Sequence, residues 1–382
     1  MKLFDRSSMR YLPLAQRENK VSIAERSVDP ERDSTPIPEA LRERTAIMAE
    51  EILEAREKGA SVIVAFGAHA IKNGLGRLFG DFARRGWVTH LATNGAGVIH
   101  DWEFAFQGAS SEDVRANVGE GRFGTWEETG LFINLGLAVG AWRGLGYGES
   151  IGSMISRDGL EIPSREGLRA TITAPFESSG LEPGKRAAAC DLLELLEELG
   201  LPAGRLSIPH PFAEFSAQAA AFALGLPFTS HPMFGHDIIY THSANRGAAV
   251  GRTAERDFLA FVSSVARLEG GVYLSVGSAV MSPMIFEKSL SMARNVSLQR
   301  GADIRDCKIH IVDLQEAGWD WSRGEPPISD PAYYLRFMKT FYRMGCPVDY
   351  TCADNRAFFV SLYRTLSALD GRSRVDEKSP AC

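Results

Sequence analysis

Along the chain, short β-branched apolar runs alternate with stretches that repeat an apolar residue every three or four positions. Residues 61–66 (SVIVAF) are a continuous apolar run, the pattern of a strand buried on both faces. Gly67-Ala68-His69 turns the chain. Residues 70–85 then set Ile71, Leu75, Leu78, Phe79 and Phe82 at helical spacing, and Gly86 stops the helix. A second strand is predicted at 87–93, followed by the small residues Asn94-Gly95-Ala96-Gly97, read as a glycine-rich loop that lets a ligand approach the backbone. Further strand patterns fall at 227–230, 238–241, 271–276 and 308–314. Helical patterns fall at 39–58, 125–154, 185–199, 214–224, 254–268, 283–300, 331–344 and 355–369. Residues 156–185 show no period and read as a surface excursion. This alternation predicts an α/β fold: a doubly wound, mainly parallel Rossmann-like sheet with helices on both faces. The polar residues 1–35 read as an N-terminal arm, 36–369 as a single large domain, and 370–382 as a polar, frayed tail.

Composition narrows the classes. With 382 residues, 45% hydrophobic, the chain is long enough for a substantial core. A net charge of −6 argues against non-specific nucleic-acid or membrane-surface partners. No apolar run is long enough to span a bilayer, and the first twenty residues lack the apolar core of a signal peptide. Five scattered cysteines suit a cytoplasmic protein with free thiols better than a disulfide framework.

Ligands of parallel sheets sit beyond the carboxyl ends of strands. That singles out His69, Lys72, Asn94, His100 and Asp101. A second polar group, His231, His236, Asp237 and His242, follows the 227–230 run. On an extended chain His236 and Asp237 face opposite ways, so a metal site there would need His69 or His100 from elsewhere. A metal-dependent hydrolase or lyase is one reading of these residues; acid–base or structural histidines are the others. Lys339, with Arg336 and Arg343 at helical spacing, has the neighbours of an amine activated by nearby cations, or of a plain surface lysine. Glu127 and Glu128 point about 100° apart on a helix and cannot both face one substrate. Gly144-Leu-Gly-Tyr-Gly148 follows a helical run, which argues against a dinucleotide loop. Trp319, Asp320 and Trp321 would suit a cationic or ring-bearing ligand. Lys288 and Arg294 follow Gly277-Ser278, where a phosphate could meet a helix start.

Several segments, in order, resemble deoxyhypusine synthase: AHAIKNGL, THLATNGAGVIHD, LPFTSHPMFGHDIIY, GVYLSVGSAVMSPMIFEKSLSMARN and DPAYYLRFMK. The resemblance runs from about residue 61 to 339. It implies a Rossmann-like fold, NAD as cofactor, a homotetramer, and oxidation of an amine followed by alkylamine transfer through a lysine imine. Carried onto this chain, the NAD contacts are Ala68, His69, Lys72, Asn94, Gly95, Ala96, Gly277 and Ser278, together with His100. Asp237 matches the acid beside the substrate amine, Lys339 the imine-forming lysine, and Phe337 its aromatic neighbour. The departures concern the substrate. Ile99 and His100 stand where the family has an acidic pair, Ser282–Pro283 replaces its substrate histidine, and the WSRGEPP segment replaces its substrate loop. The resemblance thus implies an NAD-dependent enzyme acting on a different small substrate, with His100, His236, Asp237 and Lys339 as catalytic candidates. A non-catalytic nucleotide-binding relative is the remaining alternative.

Overall fold

A computed structural model describes residues 1–175, 180–182, 184–316 and 318–376. The chain divides into two compact units. One comprises Met1–Arg26 and Asn94–Asp257, the other Ser27–Thr93 and Phe258–Cys382. The cuts between the units fall after Arg26, Thr93 and Asp257.

The second unit is α/β, with parallel strands flanked by helices. Its strands are β1 (Val62–Phe66), β2 (His90–Thr93), β3 (Val272–Val276), β4 (Lys308–Asp313) and β5 (Val348–Cys352). They run β5-β4-β3-β1-β2, every adjacent pair parallel. The register sets Phe66 beside Val276 and Val276 beside Val312, so the carboxyl ends of three strands are level. β1 and β3 are buried along their whole length, as their predominantly apolar sequences require.

Alternation along β1 serves two cores. Ile63 and Ala65 pack with Tyr273, Ile309 and Ile311 against Phe286 and Leu290 of the helix Met281–Gln299, and against Phe337 and Phe341 of the helix Arg336–Tyr342. Phe66 turns to the other face and stacks on Phe79 (centroids 4.4 Å), which meets Phe359 edge-on at 4.9 Å. Phe359 belongs to the helix Asn355–Asp376, which packs on the helix Glu39–Glu57. The single helix expected at 70–85 is two, Ala68–Lys72 and Gly76–Arg84, because Gly74 takes a left-handed φ of 83°. The helix expected at 331–344 is a 3-10 turn, Pro331–Tyr334, followed by Arg336–Tyr342. The tail is helical to Asp376, and 377–382 lie outside the described residues.

In the first unit, residues 1–26 are held in place. Arg17 makes a fully buried bidentate pair with Glu103, both bonds 2.7 Å, and Leu14 and Ile23 are buried. The helix expected over 125–154 breaks at Gly144, which adopts φ 80°, giving Glu127–Arg143 and Tyr147–Ser156. The stretch 156–185 is not irregular throughout. It holds a strand, Gly159–Ile162, paired antiparallel with Gly204–Ser207, and a helix, Arg165–Thr173; residues 176–179 and 183 lie outside the described residues. Among the described residues no helix is long and apolar enough to cross a membrane.

Candidate functional site

In the second unit the strand order reverses between β1 and β3. Such a switch point opens a crevice at the carboxyl edge of a doubly wound sheet. Gly67 and Gly277 face each other there. The Gly67 amide donates to Val276 O (3.1 Å), and the Gly277 amide to Val312 O (2.8 Å). A Cβ on Gly67 would lie 2.1 Å from Gly277 O, and Gly277 itself has φ 57°. A side chain at Gly67 would need backbone movement, and one at Gly277 would be strained by its left-handed φ. The result is bare backbone at the edge of the sheet.

Ala68, His69 and Lys72 follow Gly67 on one short helix. His69 is exposed at its residue surface, and the partial burial of its ring, with the Lys72 charge nearby, holds its imidazole below its ordinary titration range. Ser278 is buried, and its Oγ accepts from the Ser282 amide at the start of the helix Met281–Gln299 (3.2 Å). One residue further on, a cavity of about 300 Å³ opens, lined by Val280, Met284, Gln315, Leu335, Phe337 and Thr340 among others. That is the lower end of small-molecule sites. Lys339 lies between the lining residues Phe337 and Thr340. It is half-buried, and its Nζ rests 3.5 Å from the centroid of the Tyr333 ring. The structure thus groups Ala68, His69, Lys72, Gly277, Ser278 and Lys339 in one unit. A larger cavity of about 480 Å³, between residues 35–44 and 350–357, contains none of them.

Asn94, Gly95, Ala96, His100, Asp101 and the residues of the His231–His242 group belong to the first unit. Asn94 is not in a loop: its side chain accepts from the Gly97 amide (2.9 Å) and caps the helix Gly95–Gln107, whose first turn holds Gly95, Ala96 and Gly97. The Asp237 carboxylate lies on that turn; a Cβ on Gly95 would meet Asp237 Oδ2 at 2.1 Å. Asp237 Oδ2 is buried and has no hydrogen-bond partner, and burial pushes the carboxyl up to about 7. Two phenols near it, Tyr147 and Tyr240, also have buried hydroxyls without partners. Both are pushed up, first by burial and then by the Asp237 charge. A carboxyl that titrates near neutrality beside two unengaged hydroxyls can exchange a proton and bind a polar group.

Sequence reasoning reached Asp237 but missed both tyrosines. Tyr240 lies in the HDIIY segment, and Tyr147 in the glycine-rich stretch whose helical setting argues against a dinucleotide loop. That stretch holds no phosphate cradle. Asp257 fills it, accepting from the Gly148 amide at 2.9 Å, and a Cβ on Gly146 would lie 1.9 Å from Asp257 Oδ1.

The histidines do not converge. Ile238–Thr241 is a 3-10 turn rather than the expected strand, so facing by alternation does not apply. His231 is buried on Thr229 Oγ1 (3.0 Å), His236 is exposed, and His242 stacks on Tyr11 (4.2 Å) with Nε2 3.5 Å from Glu127. Among the described residues no three His, Cys, Asp or Glu side chains stand where they could hold a metal ion. His100 bonds to Ser110 Oγ (2.7 Å), which donates to Glu103 (2.5 Å), joining it to the Arg17 pair. Asp101 is buried under Ser216 and the start of the helix Ala217–Leu224, whose Ala217 amide it accepts at 2.9 Å. Glu128 accepts from the Leu14 amide (2.6 Å). Arg294 is bound to the carbonyls of Ile304 and Met344, Lys288 to Glu287, and Trp319 Nε1 to Gly324 O.

No family model and no curated protein sequence matches the chain. Among solved structures, a conserved protein from Methanococcus maripaludis S2, assigned provisionally to the LOR/SDH type, is 11% identical. The match covers 88% of this chain and 70% of that one, with a TM-score of 0.41. ArgZ, an arginine dihydrolase from the ornithine–ammonia cycle in cyanobacteria, is 12% identical over 87% of this chain and 34% of its own, TM-score 0.42. AgrE in ternary complex with ornithine and NAD+ is 13% identical over 88% and 34%, TM-score 0.42. The chain spans about a third of the length of ArgZ and AgrE. At these values the likenesses assign no substrate or reaction.

Proposed function

We propose that this chain is an NAD-dependent enzyme acting on a small amine-type or related substrate, and that it transfers an alkylamine fragment through Lys339. The observation that carries the proposal is the reversal of strand order at β1 and β3, where Gly67 and Gly277 leave backbone bare at the carboxyl edge. A pyrophosphate needs that kind of close backbone approach. The segment-by-segment resemblance to deoxyhypusine synthase supplies NAD as the ligand.

When bound, NAD would supply a hydride acceptor. The chain supplies position and proton handling. Ala68, His69, Lys72 and Ser278 flank the bare backbone and would hold the dinucleotide; Asn94, Gly95 and Ala96 are the resemblance's further contacts. The cavity beside Thr340 is sized for a small substrate. For an imine to form, Lys339 must leave the Tyr333 ring and lose a proton, because only the free amine attacks a carbonyl. In the first unit, Asp237 and Asp257 are carboxyls held up near neutral pH, and Asp237 is the one beside two unengaged hydroxyls. The resemblance also carries a homotetramer, which light scattering of the purified protein would test.

Calorimetric titration with NAD tests the first step. Saturable binding to the wild type and to Lys339→Met is expected. Turnover of diamines or polyamines, followed by NADH absorbance, should appear in the wild type alone. Borohydride should trap a substrate-sized adduct on the Lys339 peptide. Absence of saturable NAD binding sinks the proposal.

A further inference from the structure

Two of the cysteines lie together in the second unit, at the start of adjacent parallel strands. Ile309 of β4 is the partner of Val348 of β5. Cys307 and Cys346 each stand two residues before those partners, and the Ile309 amide donates to Pro347 O (3.0 Å) between them. Parallel neighbours at matched offsets bring Cα atoms within the span that a disulfide bridges. Both thiols are free and buried, Cys307 fully and Cys346 at 7% exposure.

The surroundings of the Cys346 sulfur differ from those of an inert core thiol. Arg294 Nη2 donates to it at 3.6 Å. The thiol and the backbone amide of Cys307 also donate to it. The guanidinium is fixed by the carbonyls of Ile304 (2.7 and 2.9 Å) and Met344 (2.7 Å), so it does not drift from the sulfur. Three donors on one sulfur, one of them the Arg294 cation, favour thiolate. The Cys307 hydrogen bond, with the Arg294 charge and the Cys307 amide behind it, pulls Cys346 below its ordinary range, against burial and the Glu269 charge. The same bond, together with burial, pushes Cys307 up. One sulfur is therefore set as nucleophile and the other as proton donor.

We infer that Cys346 and Cys307 form an oxidisable dithiol, Cys346 reacting with a hydroperoxide and Cys307 resolving it to an intramolecular disulfide. The Cys346 thiolate attacks the terminal peroxide oxygen. The O–O bond breaks, alkoxide or hydroxide leaves, and Cys346 becomes a sulfenic acid. The Cys307 sulfur then attacks the Cys346 sulfur, an S–S bond forms, and its proton departs with the sulfenic oxygen as water. Two thiols lose two electrons and two protons, and one hydroperoxide is reduced to an alcohol or water. This site is separate from the NAD reading and does not depend on it.

Hydrogen peroxide is titrated into reduced full-length protein, and disulfide-linked peptides are mapped by mass spectrometry. One linked pair containing Cys307 and Cys346 is expected, reversed by dithiothreitol. In Cys307→Ser, a dimedone adduct should collect on Cys346. In Arg294→Gln, linkage should form roughly tenfold more slowly, the change expected for about one pH unit of lost thiolate preference. The mapping on wild-type protein stands even if a variant fails to fold. Oxidation of the exposed Cys352 with both Cys307 and Cys346 left as thiols overturns the inference, as does unchanged linkage rate in a folded Arg294→Gln protein.

Discussion

Asp237 gives the sharpest test of the first unit. Its carboxyl is pressed on the first turn of the helix Gly95–Gln107, and Oδ2 lacks a partner. Burial alone moves it from 3.8 to about 7. Below pH 3.8 the carboxyl is protonated in both folded and unfolded chains. Between 3.8 and about 7 the unfolded chain ionises while the folded one keeps its proton, so stability falls as pH rises. Above about pH 7 the penalty is complete. At about 1.4 kcal/mol per pH unit, the full penalty is roughly 4 kcal/mol. Asp237→Asn keeps the shape and removes the charge. The variant should gain on the wild type by roughly 4 kcal/mol at pH 8 and by little at pH 4. Urea unfolding of both proteins across this range measures the difference, which cancels titrations elsewhere, including that of Asp257. Parallel stability curves for the two proteins would refute the account of Asp237 as a desolvated carboxyl.

Two further outcomes follow from contacts described above, and a third from a buried histidine of the first unit. Glu103→Gln leaves Arg17 as an unpaired buried cation and should cost about 3–5 kcal/mol in urea unfolding; a loss below about 1 kcal/mol would contradict the buried pair. Gly67→Ala places a methyl against Gly277 O. It should cost about 1–3 kcal/mol and weaken any NAD binding at least roughly tenfold by calorimetry, and unchanged stability would show that the two backbones do not meet. His210 is buried and held down at about 4 by burial, so stability should fall as pH drops from 6.5 towards 4, by roughly 3 kcal/mol. His210→Phe should flatten that limb; an unchanged acid limb would mean the imidazole is not buried neutral.

The sequence made the central sheet strands visible because β1, β3 and the middle of β4 are buried and read as largely apolar, β-branched runs. β5 escaped: Val-Asp-Tyr-Thr-Cys mixes polar and apolar residues because it is only partly buried along its length. The strand Gly204–Ser207 escaped for the same reason, carrying exposed residues at three of its four positions, while its partner Gly159–Ile162 is only four residues long and opens on a glycine. Helix breaks at Gly74 and Gly144 were hidden because the apolar spacing carries on past them, while left-handed φ values end the helices. At the candidate sites, residue types together with the resemblance pointed to Gly277, Lys339 and Asp237. Missing partners, unlike residue types, exist only in three dimensions, so Tyr147 and Tyr240 carried no signal.

The order of the two units along the chain has a consequence for how the protein is made. β1 and β2 emerge early, but β3, which aligns Val276 with Phe66, comes roughly two hundred residues later. Every residue of the first unit has by then been synthesised. On a ribosome the first unit can complete its core while the apolar strand Val62–Phe66 still waits for its neighbour. Until then that strand is a target for chaperones or for another nascent chain. A fragment truncated at Asp257 would keep this strand exposed for good. Such a fragment should therefore aggregate, even though its first unit is whole.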